Sequence, residues 1–207
     1  MIKIFSGADR ERFPQDFDQM FRARAAIFKD RLGWEVDVEN GLEIDRYDRC
    51  DDTVYLVSSD ADGHLTGSLR LLPTTGDTML RHEFSDFFDE PVDVESPTAW
   101  ECTRFCVHPP RHGARAEAMR TVSSDLLIGL CGLCLDSGIE HIVGLYDERM
   151  TRIYQRIGWT PDPLAESRSH RGHLIVGLWE ATPHALDRMQ SLSTRSRVLP
   201  LPLRQAA

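Results

Sequence analysis

Residues 100–145 read WECTRFCVHPPRHGARAEAMRTVSSDLLIGLCGLCLDSGIEHIVGL. The opening residues predict a strand from about Trp100 to Val107, and Pro109 with Pro110 ends it, because proline has no N–H to give to a ladder. From roughly Ala114 to Ser137 no proline interrupts the chain, and the apolar segment Leu126–Leu135 predicts one long, largely buried helix. Ile142–Leu145 is again a strand. Strand, long helix and strand in succession is an α/β order.

Working outward, Met1–Phe5 predicts a short strand and Phe17–Leu32 a helix ending near Gly33. Trp34–Cys50 is rich in aspartate and glutamate without a sustained period and reads as a long loop, a kind of segment that often carries function. Strands follow at Thr53–Ser58 and Leu65–Leu72, joined by the turn-forming Asp60-Ala-Asp-Gly63. Beyond a short His82–Asp89 segment and the stretch quoted above come a helix over Glu148–Ile157 and a last strand at His173–Leu178. The tail from about Ser191 shows no periodicity and is expected to be loosely ordered. The element order resembles the acetyltransferase-like α/β/α sandwich. The expected core is therefore a mixed, largely antiparallel central sheet, with two strands splayed into a cleft that admits a thioester-bearing arm.

Charge placement points to the functional region. Arg24 lies on the apolar helix face made by Phe17, Met20, Phe21, Ile27 and Phe28. Arg70 and Arg104 also sit inside hydrophobic runs, and Asp45, Asp48 and Glu101 punctuate the same half of the chain. Charges among apolar neighbours are expensive to desolvate unless paired, so three of each sign suggest a mutually neutralising cluster lining a pocket. A guanidinium on a buried face serves either a structural ion pair or bidentate anion recognition.

The chain has 207 residues, 41% of them hydrophobic, and no compositional break, which predicts a single domain over 1–207. No apolar stretch of signal length opens it and no later run approaches a membrane span, so a soluble, cytoplasmic protein is expected. A formal charge of −9 argues against wholesale nucleic-acid binding. Five cysteines, an odd number, do not form a disulfide framework, and Cys131-Gly-Leu-Cys134 inside the apolar helix reads as packed thiols. The histidines lack metal-ligand spacing, and no metal role is assigned.

Arg24-Ala-Ala-Ile-Phe28, Leu32-Gly-Trp34-Glu-Val36, Glu43-Ile-Asp45-Arg-Tyr-Asp48, Ser68-Leu-Arg70-Leu-Leu, Phe84 and Glu101-Cys-Thr-Arg104-Phe105-Cys-Val107 form an ordered series. With Arg156-Ile-Gly-Trp159 in the second half, this series resembles the LuxI-type autoinducer synthases, which make acyl-homoserine lactones for quorum sensing. The resemblance implies S-adenosylmethionine as the amine substrate and an acyl chain delivered on acyl carrier protein, or on coenzyme A in some members. It implies no metal or redox cofactor.

The chemistry of that reaction gives the matched residues roles. S-adenosylmethionine carries a sulfonium, an ammonium and a carboxylate. Phe28 and Trp34 can offer aromatic faces to the cation. Asp45 and Asp48 can orient the ammonium while pairing with Arg24, Arg70 or Arg104, and Phe105 adjoins this site. Glu101 is the candidate base for the amine, its basicity set by burial and by whichever arginine pairs with it. Thr103 and Gly144 are assigned to the acyl pocket, and glycine at 144 leans toward a long chain without a 3-oxo group. Phe84 is expected to pack. Arg149, Arg152 and Arg156 share one face of their helix and form a basic ridge. An acidic carrier protein could dock there, or the ridge could be a solvated face.

Strict alternation sets Glu101, Thr103 and Phe105 on one strand face and Arg104 on the other. Either a bulge re-aims a residue or Arg104 serves the opposite side. Two other functions compete. A general N-acetyltransferase would carry an R/Q-x-x-G-x-G/A pyrophosphate loop. Here the corresponding stretch is His108-Pro-Pro-Arg-His-Gly-Ala114, where the spacing from Arg111 reaches alanine. A non-catalytic sensor of the same ligands would have little use for Glu101.

Overall fold

Strand β1 (Ile2–Ser6) pairs antiparallel with β4 (Val54–Ser59), in register from Ile2 opposite Ser58 to Ser6 opposite Val54. The computed structural model that shows this describes residues 1–108, 115–169 and 172–193. The stretch 109–114 of the loop discussed above, and the expected loose tail from 194 on, lie outside the described residues. The described chain falls into two compact units, each assembled from separate stretches. One holds Met1–Arg70 and Arg104–Leu126, the other Leu71–Thr103 and the residues from Leu127 on.

In the first unit, helix α1 (Pro14–Ala25) packs on β1 and β4. Pro14 suits its first turn, where no N–H is required. Phe5, Phe17, Met20, Phe21, Tyr55 and Val57 make the buried cluster under it, and Lys3 pairs with Asp16 at 2.7 Å. The expected single helix to Leu32 stops early. Ala26–Arg31 is a π-helical turn, with Leu32 N–H reaching back to the Ile27 carbonyl at 2.9 Å. The segment read as a loop holds a two-residue pair, β2 (Val38–Glu39) and β3 (Leu42–Glu43), and a 3-10 turn at Arg46–Arg49. β5 (Leu65–Pro73), β6 (Ala99–Val107) and helix α2 (Arg115–Ser137) begin or end in this unit and run on into the other.

In the second unit, β7 (His141–Asp147) pairs parallel with β6 over three residues, Ala99 to Glu101 opposite His141 to Val143. The two strands extend beyond this pairing, to Val107 and Asp147. β9 (Gly172–Glu180) pairs antiparallel with β7 along its length. The strand order is β1-β4-β5-β6-β7-β9-β8, a mixed sheet. Leu80, Val143 and Val176 form a core against which Phe84 packs, as expected of that residue. Cys131 and Cys134 are buried free thiols, in line with the packing reading.

Two elements escaped the sequence reading. β8 (Asp162–Ser169) is a mostly exposed edge strand whose apolar residues, Pro163, Leu164 and Ala165, are consecutive, with an irregularity between Pro163 and Ala165, so it shows no apolar alternation. Helix α4 (Pro183–Leu192) follows the last predicted strand and is capped by Thr182, whose side chain accepts from Ala185 N–H at 3.1 Å. A correction also applies to the expectation that no run approaches a membrane span. Ala118–Ser137 in α2 is long and apolar enough to cross one by length and composition. The reading counted unbroken apolar residues, whereas a hydroxyl such as Ser123's is satisfied within the helix, donating to the Met119 carbonyl at 2.9 Å. Leu126, Leu127, Ile128, Leu130 and Cys131 are buried inside the protein, as in a core helix.

Candidate active site

The three arginines converge in the first unit, each from a different element. Arg24 projects from the buried face of α1, Arg70 from β5 and Arg104 from β6. Asp45 and Asp48 are held by the 3-10 turn itself. Asp45 caps it by accepting from Tyr47 N–H at 3.0 Å, and Asp48 reciprocates by accepting from Asp45 N–H at 2.9 Å. That D-x-x-D spacing is a capping box, which holds both carboxylates through backbone N–H groups in addition to the arginines.

Bidentate pairs tie the cluster together. Arg24 donates from Nη1 and Nη2 to Asp48 Oδ1 and Oδ2 at 2.9 and 2.8 Å, and from Nε to Glu43. Arg70 forks onto Asp45 at 2.5 and 2.9 Å and approaches Asp48 at 3.0 Å. Arg104 donates to Glu43 Oε1 at 2.8 Å and to Asp45 Oδ2 at 3.1 Å. The third carboxylate of this neutralising set is thus Glu43, which sequence reasoning quoted but gave no role. Its signal was the alternation Glu43-Ile44-Asp45, which puts two carboxylates on one side of extended backbone. Tyr55 was also missed, and its hydroxyl donates to Asp48 Oδ1 at 2.8 Å.

Burial alone would raise the Asp48 pKa, but Arg24 and Arg70 outweigh it and hold the carboxyl well below the usual range. Burial alone would lower the Arg24 pKa, and Asp48 and Glu43 reverse that, so the net shift is upward. Asp48 and Arg24 are therefore both charged at neutral pH. Exposure divides the cluster. The side chains of Arg24, Glu43, Asp48 and Arg70 are at most 1% exposed, whereas Asp45 is 20% and Arg104 8% exposed. Four sealed charges form a frame, and one anion and one cation face outward.

Trp34 stacks on Phe28 with ring centroids 5.0 Å apart. Gly33, left-handed at φ +66°, ends the π-helical turn and directs the chain back, so that Trp34 N–H reaches the Phe28 carbonyl at 2.8 Å. π-helical insertions of this kind recur at functional sites. Arg104 lies 5.2 Å over the Phe28 ring. Phe28 is thus covered, while Trp34, 48% exposed, keeps an aromatic face toward solvent. Phe105 is partly buried on β6.

Arg104 adopts φ +51°, a left-handed residue inside a strand. Buried positions run Ala99, Glu101, Thr103 and then Cys106, so the alternation changes phase there. Of the two alternatives posed by the sequence, the backbone takes the bulge.

The remaining candidates lie in the second unit. Glu101 is fully buried, and its two oxygens accept from Met79 N–H at 2.7 Å and Leu80 N–H at 2.9 Å. Thr103 is buried. Gly144 is opposite Gly177. A Cβ added at Gly144 would lie 3.0 Å from the Cys102 carbonyl oxygen and 3.6 Å from Trp179, so the position is closely packed. Arg149 stands in a 3-10 turn ahead of α3 (Thr151–Ile157) and is paired with Asp147 at 2.7 Å, leaving Arg152 and Arg156 as the exposed basic pair on the helix.

His108 follows β6 in the first unit, with its Nε2 buried and without a partner among the described residues. Burial first, and then Arg31, lower its pKa from 6.5 to about 4. The folded state resists the proton, so its stability contribution is complete above about pH 6.5 and is lost as pH falls toward 4. The loss is on the order of 3 kcal/mol. Urea titrations across this window should show that fall, and H108Q should flatten it; an unchanged slope in the variant would reject the assignment.

With this geometry established, the relatives can be set beside it. The sequence matches the family described as autoinducer synthase over residues 9–183. It is 58% identical over 182 residues to an acyl-homoserine-lactone synthase of Rhizobium etli, covering 88% of this chain and 85% of the relative. Among solved structures, BjaI, a CoA-dependent acyl-homoserine lactone synthase with SAM and isopentyl-CoA, superposes with a TM-score of 0.85 at 24% identity, over 99% of this chain and 95% of that one. An acyl-CoA N-acyltransferase from Pseudomonas aeruginosa gives 0.54 at 16% identity, over 86% and 98%. The fold is the expected acetyltransferase-like one.

Proposed function

The chain belongs to the autoinducer synthase family and is an acyl-homoserine-lactone synthase, and we propose that its charged cluster seats the amino-acid end of S-adenosylmethionine while Glu101 deprotonates the attacking amine. One observation carries the reading. The outward members of the sealed network are one carboxylate, Asp45, and one guanidinium, Arg104. That is the complement an ammonium and a carboxylate require. Arg24, Arg70, Glu43 and Asp48 act as the frame that holds this pair in place, and Trp34 offers its open face to the sulfonium.

Acylation needs a neutral amine, and an α-amine of pKa about 8 is mostly protonated at neutral pH. Glu101 takes the proton through a water, the amine nitrogen bonds to the thioester carbonyl carbon, and the thiolate leaves as the C–S bond breaks. The substrate carboxylate then attacks its own γ-carbon and expels methylthioadenosine, a step for which positioning suffices. As written, neither step calls for a metal or redox group. Both substrates are cytoplasmic metabolites, and we place the enzyme there.

The acyl donor is a thioester on carrier protein or on coenzyme A. Arg152 and Arg156, one turn apart and exposed, support carrier docking. Incubation with S-adenosylmethionine and either donor, over a range of chain lengths, should release methylthioadenosine and an acyl lactone detectable by mass. Absence of both products with every donor would overturn the reading. R152E should raise the KM for acyl-carrier protein several-fold and leave that for acyl-CoA unchanged, with added salt mimicking it in the wild type. An unaltered carrier KM would remove Arg152 from docking.

A further inference from the structure

Arg10 lies outside every residue assigned so far, yet it reaches the turn that carries both aspartates. Its Nη2 donates to the backbone carbonyl of Asp48, 38 residues away. The last carbonyls of a short helical turn have no partner within it. Here the Tyr47 carbonyl is met by Thr53 Oγ1 at 2.7 Å and by Cys50 N–H at 3.4 Å, and the Asp48 carbonyl is met by Arg10. A cation at that end also opposes the local dipole.

The guanidinium is itself held. It lies 5.3 Å over the Phe17 ring and 5.7 Å over the Phe21 ring. Behind it, Gly7 N–H donates to the Thr53 carbonyl at 2.8 Å and Ala8 N–H to the Asp51 carbonyl at 3.3 Å, which fastens the segment before Arg10 to the chain just after the turn. A Cβ at Gly7 would overlap the Cys50 carbonyl oxygen, so this contact is backbone on backbone. Arg10 Nε is buried without a partner among the described residues. Methionine could cover the same two rings without that desolvation penalty, so the guanidinium contributes something that packing does not.

We propose that Arg10 is a positioning residue for S-adenosylmethionine: by capping the Asp48 carbonyl it fixes the turn that presents Asp45 to the substrate. The inference rests on the seating of the substrate amino-acid end at Asp45.

The test compares R10M, R10K and D45N by steady-state kinetics, with thermal melting of each. In R10M, the KM for S-adenosylmethionine should rise about tenfold, the loss of one charge-assisted bond, while kcat and the acyl-donor KM stay within about twofold. R10K, which still offers a donor, should recover most of that rise. D45N should raise the same KM at least as far. A wild-type KM in R10M, with D45N impaired, would overturn the role of Arg10 and leave the seating at Asp45 intact. A wild-type KM in D45N would overturn both, whatever Arg10 does. If R10M does not fold, R10K carries the test: a substrate KM raised more than about threefold, or one that moves in step with the acyl-donor KM, would overturn the proposal.

Discussion

Exchange of Glu101 for glutamine should lower kcat for acyl transfer by roughly two to four orders of magnitude, the range general-base catalysis supplies. The KM for S-adenosylmethionine should change little. The deficit should shrink as pH rises toward and past the amine pKa of about 8, because solvent then delivers the neutral amine unaided. The variant has a structural consequence as well. Both Glu101 oxygens accept backbone N–H groups, from Met79 and Leu80. Glutamine keeps one acceptor and turns an NH₂ donor against the other N–H, at about 1–3 kcal/mol. Melting curves measured beside the kinetics separate the two effects. Undiminished turnover, or a loss that follows the unfolded fraction alone, would reject Glu101 as the base.

Arg24→Met should destabilise the protein by about 3–5 kcal/mol, because it removes one guanidinium from each of two buried carboxylates, leaving Asp48 with Arg70 and Glu43 with Arg104. That is a large share of a typical total of about 5–15 kcal/mol. The pH dependence follows from the depressed Asp48 pKa. In the wild type its contribution is complete above the unfolded carboxyl value of about 3.9 and fades as pH falls through the lower folded value. Without Arg24 the buried Asp48 carboxyl is held down by Arg70 alone and its pKa rises, so a proton relieves the variant before it harms the parent. The stability gap should therefore be widest near neutrality and narrow toward pH 4, as read by urea unfolding at both pH values. A gap independent of pH would show that the loss is one of packing.

The order of strands and long helix could be read from the sequence because apolar runs and prolines mark them plainly. The convergence of Arg24, Arg70 and Arg104 on Asp45 and Asp48 was legible for a related reason: a charge on an apolar face needs a partner, and few were on offer. Glu43 was not distinguished from its acidic neighbours, since its one signal, alternation with Asp45 across Ile44, is short and lies in a loop crowded with carboxylates. The π-helical turn has no periodic signature at six residues, and it passed for helix. β8 was invisible because an edge strand facing water has no reason to alternate. The bulge at Arg104 could be posed as an alternative and not decided, because left-handed arginine is set by what its side chain must reach.

The division of the chain into two interleaved units bears on how it can be made. The first unit needs Arg104–Leu126 in addition to everything before Leu71, and the second begins inside the gap between those stretches. No single cleavage separates them into intact pieces. During synthesis, domains ordinarily fold in turn as they emerge. Here the first unit is completed only when residues up to Leu126 have been made, and such distant closures are slow.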